Sequence, residues 1–511
     1  MSAWVKPSAP GGVVVSQDMT HAASFKIYPD TSSGKWFFCM ATADTATATY
    51  NCASGGSVNL ALWTHLTATY QAATGVMNLY ATGVNIATLS HTALTGTTTG
   101  PLQIGDYLYS NVHTSYFNGQ VADVQAWNQV ASPAQAQTPA GYYQPITPTR
   151  FLDTRNGTGG TTGPVAGGGT VRLQIAGAHG IPATNVTAVA VNVTVTAETA
   201  SGVVTVYPED TPQPLTTNLN YVAATGIANL VIVPVGADGY IDLYHTSGPV
   251  QLIGDVSGYF TSDVTKGGDT TFTPMTPTRV LDTRNGTGAP KAKIGEAGSV
   301  ALQIGGANGI PTGVSAVAIN ITAVNETSGG YLTDYADGTS RPATSNLSFS
   351  TLPVAEMAIV PVGADGKIDI WEGGSTGTID VVGDVSGYFT AGTAGEKYHA
   401  IGATRMIDTR QDSQPVPSGG TLTVAQGGTV IALNPTLVLN VTAVNGAASG
   451  VLTVYPDGTS IPGTSNVNYT ASEVIPNLAL AATGGGTTDV YNNSSGTVQV
   501  VVDCYGYFSS G

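Results

Sequence analysis

Residues 186–197 read VTAVAVNVTVTA, a run in which β-branched residues alternate with small or polar ones. Successive side chains of an extended chain point to opposite faces, so a period of two marks a strand. GVVTVYP at 202–208, ANLVIVPVG at 228–236 and GYIDLYH at 239–245 carry the same pattern, and Gly, Pro, Asn and Asp interrupt it. Strands of this kind without helices are buried compactly either in two packed antiparallel sheets or in a barrel. The reading is all-β, with a sandwich preferred.

Working outward from this run, the same landmarks return twice. TPTRFLDTRNGTG at 147–159 recurs as TPTRVLDTRNGTG at 276–288 and as GATRMIDTRQDS at 402–413. NVTVT at 192–196 recurs as NITAV at 320–324 and NVTAV at 440–444, and each copy closes on GDVSGYF at 254–260, GDVSGYF at 383–389 or VDCYGYF at 502–508. A self-similar unit of this length is a domain rather than a solenoid rung. Three homologous antiparallel β-sandwich modules are expected at 145–262, 274–391 and 401–511, joined by the polar linkers TSDVTKGGDTTFTP and TAGTAGEKYHAI and strung as a stalk.

Composition narrows the function. The chain has 511 residues, too many for one core at about 100 to 200 per domain. With 16 Lys+Arg against 32 Asp+Glu it carries a formal charge of −16, a poor match for a nucleic-acid backbone or an anionic lipid surface. No apolar run is long enough for a membrane span. Met1–Pro7 lacks the charged start and apolar core of a secretory signal, so a segment upstream is expected. Cys39 and Cys52 bracket a turn-like TADTATAT stretch, where a cross-strand disulfide and two buried thiols are the alternatives; Cys504 reads as a small buried residue.

The first 135 residues are also β-patterned. WTHLTATYQAATGVMNLYATGVNIATL at 63–89, GPLQIGD at 100–106 and YFNGQVADVQAWNQVAS at 116–132 resemble, in order and spacing, a laminin-G-like, concanavalin-like jelly-roll domain. The resemblance places a partial jelly roll over 1–135 that lacks early strands, since family members carry strands ahead of the segment matching SAWVKP. An upstream piece, or another chain, would complete it. It also implies calcium as a candidate ligand through Asp106 or Asp123, against the simpler role of capping turns. The later modules resemble LDTR/GYF repeats of actinobacterial secreted and cell-surface proteins, which implies an extracellular, adhesive or stalk role.

The scarce charge is concentrated. Arg150, Asp153 and Arg155 recur as Arg279, Asp282, Arg284 and as Arg405, Asp408, Arg410. A guanidinium fork can tie a buried carboxylate to the joint between first and last strands. The LDTR arginines Arg155, Arg284 and Arg410 are therefore expected to reach Asp255, Asp384 and Asp503 in the closing motif, with a ligand-binding Arg/Asp site in each module as the alternative. Catalysis finds no support: the 7 histidines do not recur between copies, no HExxH motif accompanies them, and no Glu precedes Glu198. Tyr107, Tyr109, Asn111, His113, Tyr116 and Asn118 cluster in DYLYSNVHTSYFNG, where ring faces beside amides suit stacking on a sugar. The expected function is extracellular, non-enzymatic adhesion or carbohydrate binding, with a glycan or cell-surface polymer as partner. The alternative is a structural subunit of an extracellular fibre or filament, self-associating by inter-chain strand pairing at an unfinished edge near Ser2–Val5.

Overall fold

The computed structural model describes the chain apart from residues 59, 61–63, 82–83, 92–99, 127–139, 210, 212, 237, 264–269, 375, 393, 412, 426–433 and 511. The described residues are all-β, with no helix among them, and fall into two compact units, Met1–Pro139 and Ala140–Gly511.

The N-terminal unit is a pair of five-stranded antiparallel sheets. One runs Gly119–Gln125, Ser2–Pro7, Thr64–Gln71, Val76–Ala81, Val84–Ser90; the other runs Tyr50–Ser57, Lys35–Ala41, Ala23–Pro29, Val15–Asp18, Leu102–Ile104. Alternation aims Val5, Leu66 and Leu79 of the first sheet at Ile27, Trp36 and Phe38 of the second, and these form one core. Ser2–Pro7 pairs with Gly119–Gln125 on one side and Thr64–Gln71 on the other. The open edge expected at Ser2–Val5 is thus not there, because both flanks of that strand are already hydrogen-bonded. Cys39 and Cys52 are register partners on neighbouring strands and are joined as a disulfide, 13 residues apart in sequence. Reducing it should lower the urea stability of this unit by about 3 kcal/mol, the chain-entropy figure for a loop of that order. An unchanged midpoint in reductant would show the bridge to be idle.

In the second unit each sequence copy folds with one strand order. In the first copy the opening strand Tyr142–Asp153 pairs with the closing strand Gln251–Thr261, then Val186–Thr196, then Ile227–Pro234. A second sheet runs Thr170–Gln174, Tyr240–His245, Gly202–Pro208, Leu219–Tyr221. The other copies repeat this with opening strands Thr270–Asp282 and Lys397–Asp408 and closing strands Thr378–Ala391 and Gln499–Ser509.

The three modules do not form a stalk. Val186–Thr196 is buried along nearly its whole length rather than at alternate residues. One face, with Val189, Val191, Val193 and Val195, packs inside its own sandwich. The other, with Ala188 and Ala190, packs into a core shared with Ala316 and Ala318 of the second module and Val438 of the third. At the centre stand six rings, two from each module. Tyr143 lies 5.1 Å from Phe260 in its own module and 4.5 Å from Phe389 of the second. Phe272 lies 4.8 Å from Phe508 of the third, and Tyr398 closes the circuit at 4.7 Å from Phe260 of the first. The opening ring of each module thus meets the closing ring of the next, a cyclic arrangement with approximate threefold symmetry. Phe272 and Tyr398 lie in stretches that read as linkers; strand begins at Thr270 and at Lys397, and these linker rings are fully buried.

Candidate functional site

Each joint between modules is built on the RxLDTR element. Arg150 is the cross-strand register partner of Asp255. Its Nε and Nη2 donate to the two carboxylate oxygens of Asp255 at 2.8 and 2.9 Å. Arg279 holds Asp384 at 2.8 and 2.9 Å, and Arg405 holds Asp503 at 2.8 and 3.0 Å. The expected pairing of Arg155, Arg284 and Arg410 with these aspartates is therefore corrected. Those arginines lie past the strand end, in the turn, and fork onto the aspartate two residues back: Arg155 on Asp153, Arg284 on Asp282, Arg410 on Asp408. The Arg155 guanidinium holds the buried Asp153 carboxyl below its usual range.

The closing aspartate also reaches into the neighbouring module. Asp255 accepts from the Ser345 backbone N–H at 3.0 Å, while the Asn192 amide donates to the carbonyls of Ser345 and Asn346 at 2.8 and 2.7 Å. Asp384 and Asn320 grip Ser465 in the same way, and Asn440 donates to Thr217 of the first module at 2.7 Å. The sequence singles out the aspartates; the asparagines, one step away on the adjacent strand, it leaves as ordinary strand residues.

Above two of these joints lie open clefts. The one between the first and second modules has a volume of about 390 Å³ and is lined by Arg150, Arg155, Thr194, Tyr331, Arg341 and Thr344, among others. Its equivalent between the second and third has about 280 Å³, with Arg279, Arg284, Thr322, Ile461 and Thr464 in its wall.

In the N-terminal unit, Tyr107–Tyr109 and Val112–Thr114 form a two-stranded hairpin turning through Ser110 and Asn111, both at positive φ. Tyr109 and Tyr116 are 40% and 70% exposed, which leaves ring surface open to a ligand. Tyr107 is placed differently. The Lys26 ammonium sits 4.1 Å from its ring centre and 4.3 Å from that of Tyr50, and burial lowers the Lys26 pKa to about 8. The Asn118 carbonyl is held by the Ser8 N–H, and the Asn111 N–H donates to the His21 carbonyl. His113 lies between two carboxylates, 3.2 Å from Asp106 and 3.4 Å from Asp18, and Gln103 donates to Asp18. Asp18 and Lys26 come from distant strands, and nothing in the local sequence links them to the hairpin. The Asp106 carboxylate is thus engaged by His113, and the side chain of Asp123 lies outside the described residues. No group of three or more His, Cys, Asp or Glu arranged for a metal occurs among the described residues.

No helix among the described residues is long and apolar enough to cross a membrane. A comparison with curated proteins finds no match. Two solved structures overlap 72% of this chain and 90% of their own: one describing the triple jelly roll fold and turret assembly in an archaeal virus, at 13% identity and a TM-score of 0.15, the other Sulfolobus Turreted Icosahedral Virus, at 12% and 0.16. The described strands and a family model agree on the N-terminal unit: residues 1–137 match the Concanavalin A-like lectin/glucanases superfamily, in line with the jelly roll expected over 1–135.

Proposed function

We propose that the chain is an extracellular, non-enzymatic glycan-binding protein of the adhesive kind, with a lectin-like N-terminal unit and a rigid three-module ring. The observation that carries this reading is the hairpin at 107–114 with the residues just after it, which together offer the exposed rings of Tyr109 and Tyr116 beside His113 and Asn111 on a concanavalin-like sandwich. Aromatic faces flanked by polar groups suit the alternating apolar and hydroxyl faces of a sugar. The Cys39–Cys52 disulfide favours an oxidising compartment. The fibre reading loses its main support, since the strand at Ser2–Pro7 already has partners on both sides.

The test is a glycan array followed by titration calorimetry on the full chain. Tyr116→Ala and Tyr109→Ala are expected to weaken binding of the best neutral glycan at least tenfold, the order of one lost ring contact of about 1.5 kcal/mol. Tyr107→Ala should act less directly, through release of Lys26. Absence of any glycan signal, or ordered fibres under the electron microscope, would overturn the reading.

A further inference from the structure

The three joints share one frame but differ in one exposed loop. Ahead of the TTN or TSN segment, the first module carries Gln213, the second Arg341 and the third Ile461. Arg341 faces the cleft over the joint between first and second modules, whereas Ile461 occupies the corresponding place over the next joint.

The charge in the first cleft is uneven. Arg150 and Arg155 are matched by Asp255 and Asp153 through forked hydrogen bonds. Arg341 forms no ion pair among the described residues; its guanidinium carbon sits over the Trp371 ring, 3.5 Å from the ring centre. This leaves a surplus positive charge at one cleft of a chain whose net charge is −16. This contact holds the guanidinium in place while its N–H donors engage no carboxylate among the described residues. Tyr331 stands in the same cleft wall, where the second cleft has Val451.

We infer that the cleft between the first and second modules is a binding site for an acidic saccharide, its anionic group taken by Arg341, with Tyr331 as an aromatic wall. The cleft volume falls in the range of small-ligand sites. A carboxylate or sulfate pairs two oxygens with the guanidinium edge, and the sugar ring packs against Tyr331. The second cleft has Ile461 and Val451 in these two places, so it serves as an internal reference that lacks both the charge and the ring. This inference shares with the proposed function only the class of ligand; the residues and the unit of the fold are different.

The experiment uses the full chain and titrates a glucuronate disaccharide, a sulfated disaccharide and a neutral disaccharide by calorimetry, with tryptophan fluorescence as a second readout because Arg341 stacks on Trp371. Arg341→Gln, which installs the residue of the first module, leaves the buried joint untouched. It is expected to weaken the acidic disaccharide at least tenfold and to leave neutral-glycan binding unchanged. Tyr116→Ala should do the reverse. Preference for the uronate or for the sulfate identifies the anionic group. Failure of both acidic sugars to bind the intact chain, or equal binding to Arg341→Gln, overturns the inference. If acidic-sugar binding survives Arg341→Gln but is lost in Tyr116→Ala, the cleft is excluded and the N-terminal reading stands. If Arg341-dependent binding is found with no response to Tyr116→Ala, the cleft stands and the hairpin falls.

Discussion

Asp334→Val is expected to raise the stability of the three-module unit at pH 7 to 8 by on the order of 4 kcal/mol, and by far less at pH 4. The reason lies in a comparison of the three joints. Asn229 of the first module donates to the Asn218 carbonyl at 2.6 Å and to Asn440 Oδ1 at 2.9 Å. Asn477 of the third donates in the same way to the Asn466 carbonyl and to Asn320 Oδ1, at 2.6 and 2.7 Å. The second module places Glu356 there, and Asn192 Oδ1, which faces that position by the same symmetry, is buried without a partner. Beside Glu356 stands Asp334, where the other modules have Val206 and Val454; neither oxygen of Asp334 has a partner among the described residues. Burial pushes Asp334 up to about 7, and burial together with Asp334 pushes Glu356 well above the usual carboxylate range.

A carboxyl whose folded pKa lies above its unfolded one binds its proton more tightly in the folded state. Its contribution is full below the unfolded value of about 4, declines as the pH climbs, and has gone once the pH passes about 7. A protonated Glu356 also regains a donor, which Asn192 Oδ1 lacks. Urea midpoints should therefore fall between pH 4 and pH 8 in the parent, fall less in Asp334→Val or Glu356→Asn, each of which keeps one buried carboxyl, and fall least in the double variant. The same pH slope in parent and variants would refute the account.

Asp255→Ala should produce the largest loss, about 3 to 5 kcal/mol, because it removes both short bonds of the Arg150 fork, leaving that guanidinium only its 3.3 Å contact with Asp153, and frees the Ser345 N–H of the next module. Arg155→Ala is the contrasting case. Its side chain is 48% exposed and its fork stays within one turn, so a loss below about 1 kcal/mol is expected. Equal losses from the two variants would contradict the register-based pairing of Arg150 with Asp255.

The strands and the threefold recurrence are legible in the sequence because both are local patterns. The disulfide is legible as an alternative, since Cys39 and Cys52 flank a turn. Which arginine meets Asp255 is not, because the answer depends on cross-strand register, set by the bulges around Thr149 and Arg150. The shared core is hidden for another reason. Phe272 and Tyr398 follow Gly- and Thr-rich stretches and read as linker, and the alanines at 188, 190, 316 and 318 look like the outward face of a half-buried strand. Only the closure of three sheets on one another turns that small-residue face inward. In the N-terminal unit the aromatic cluster is visible, but the capture of Tyr107 by Lys26 is a long-range contact with no local signature.

The ring of three modules has a consequence for what single substitutions can achieve. Three separate identical chains around an axis would carry any substitution at all three seats together and would come apart on dilution. One continuous chain supplies its neighbours at a high effective concentration, independent of how much protein is present. It also lets each seat diverge alone. Gln213, Arg341 and Ile461 occupy one seat, and Asn229, Glu356 and Asn477 another. A single frame thus carries one cationic cleft and one proton-sensitive joint, where a symmetric assembly would have three of each or none.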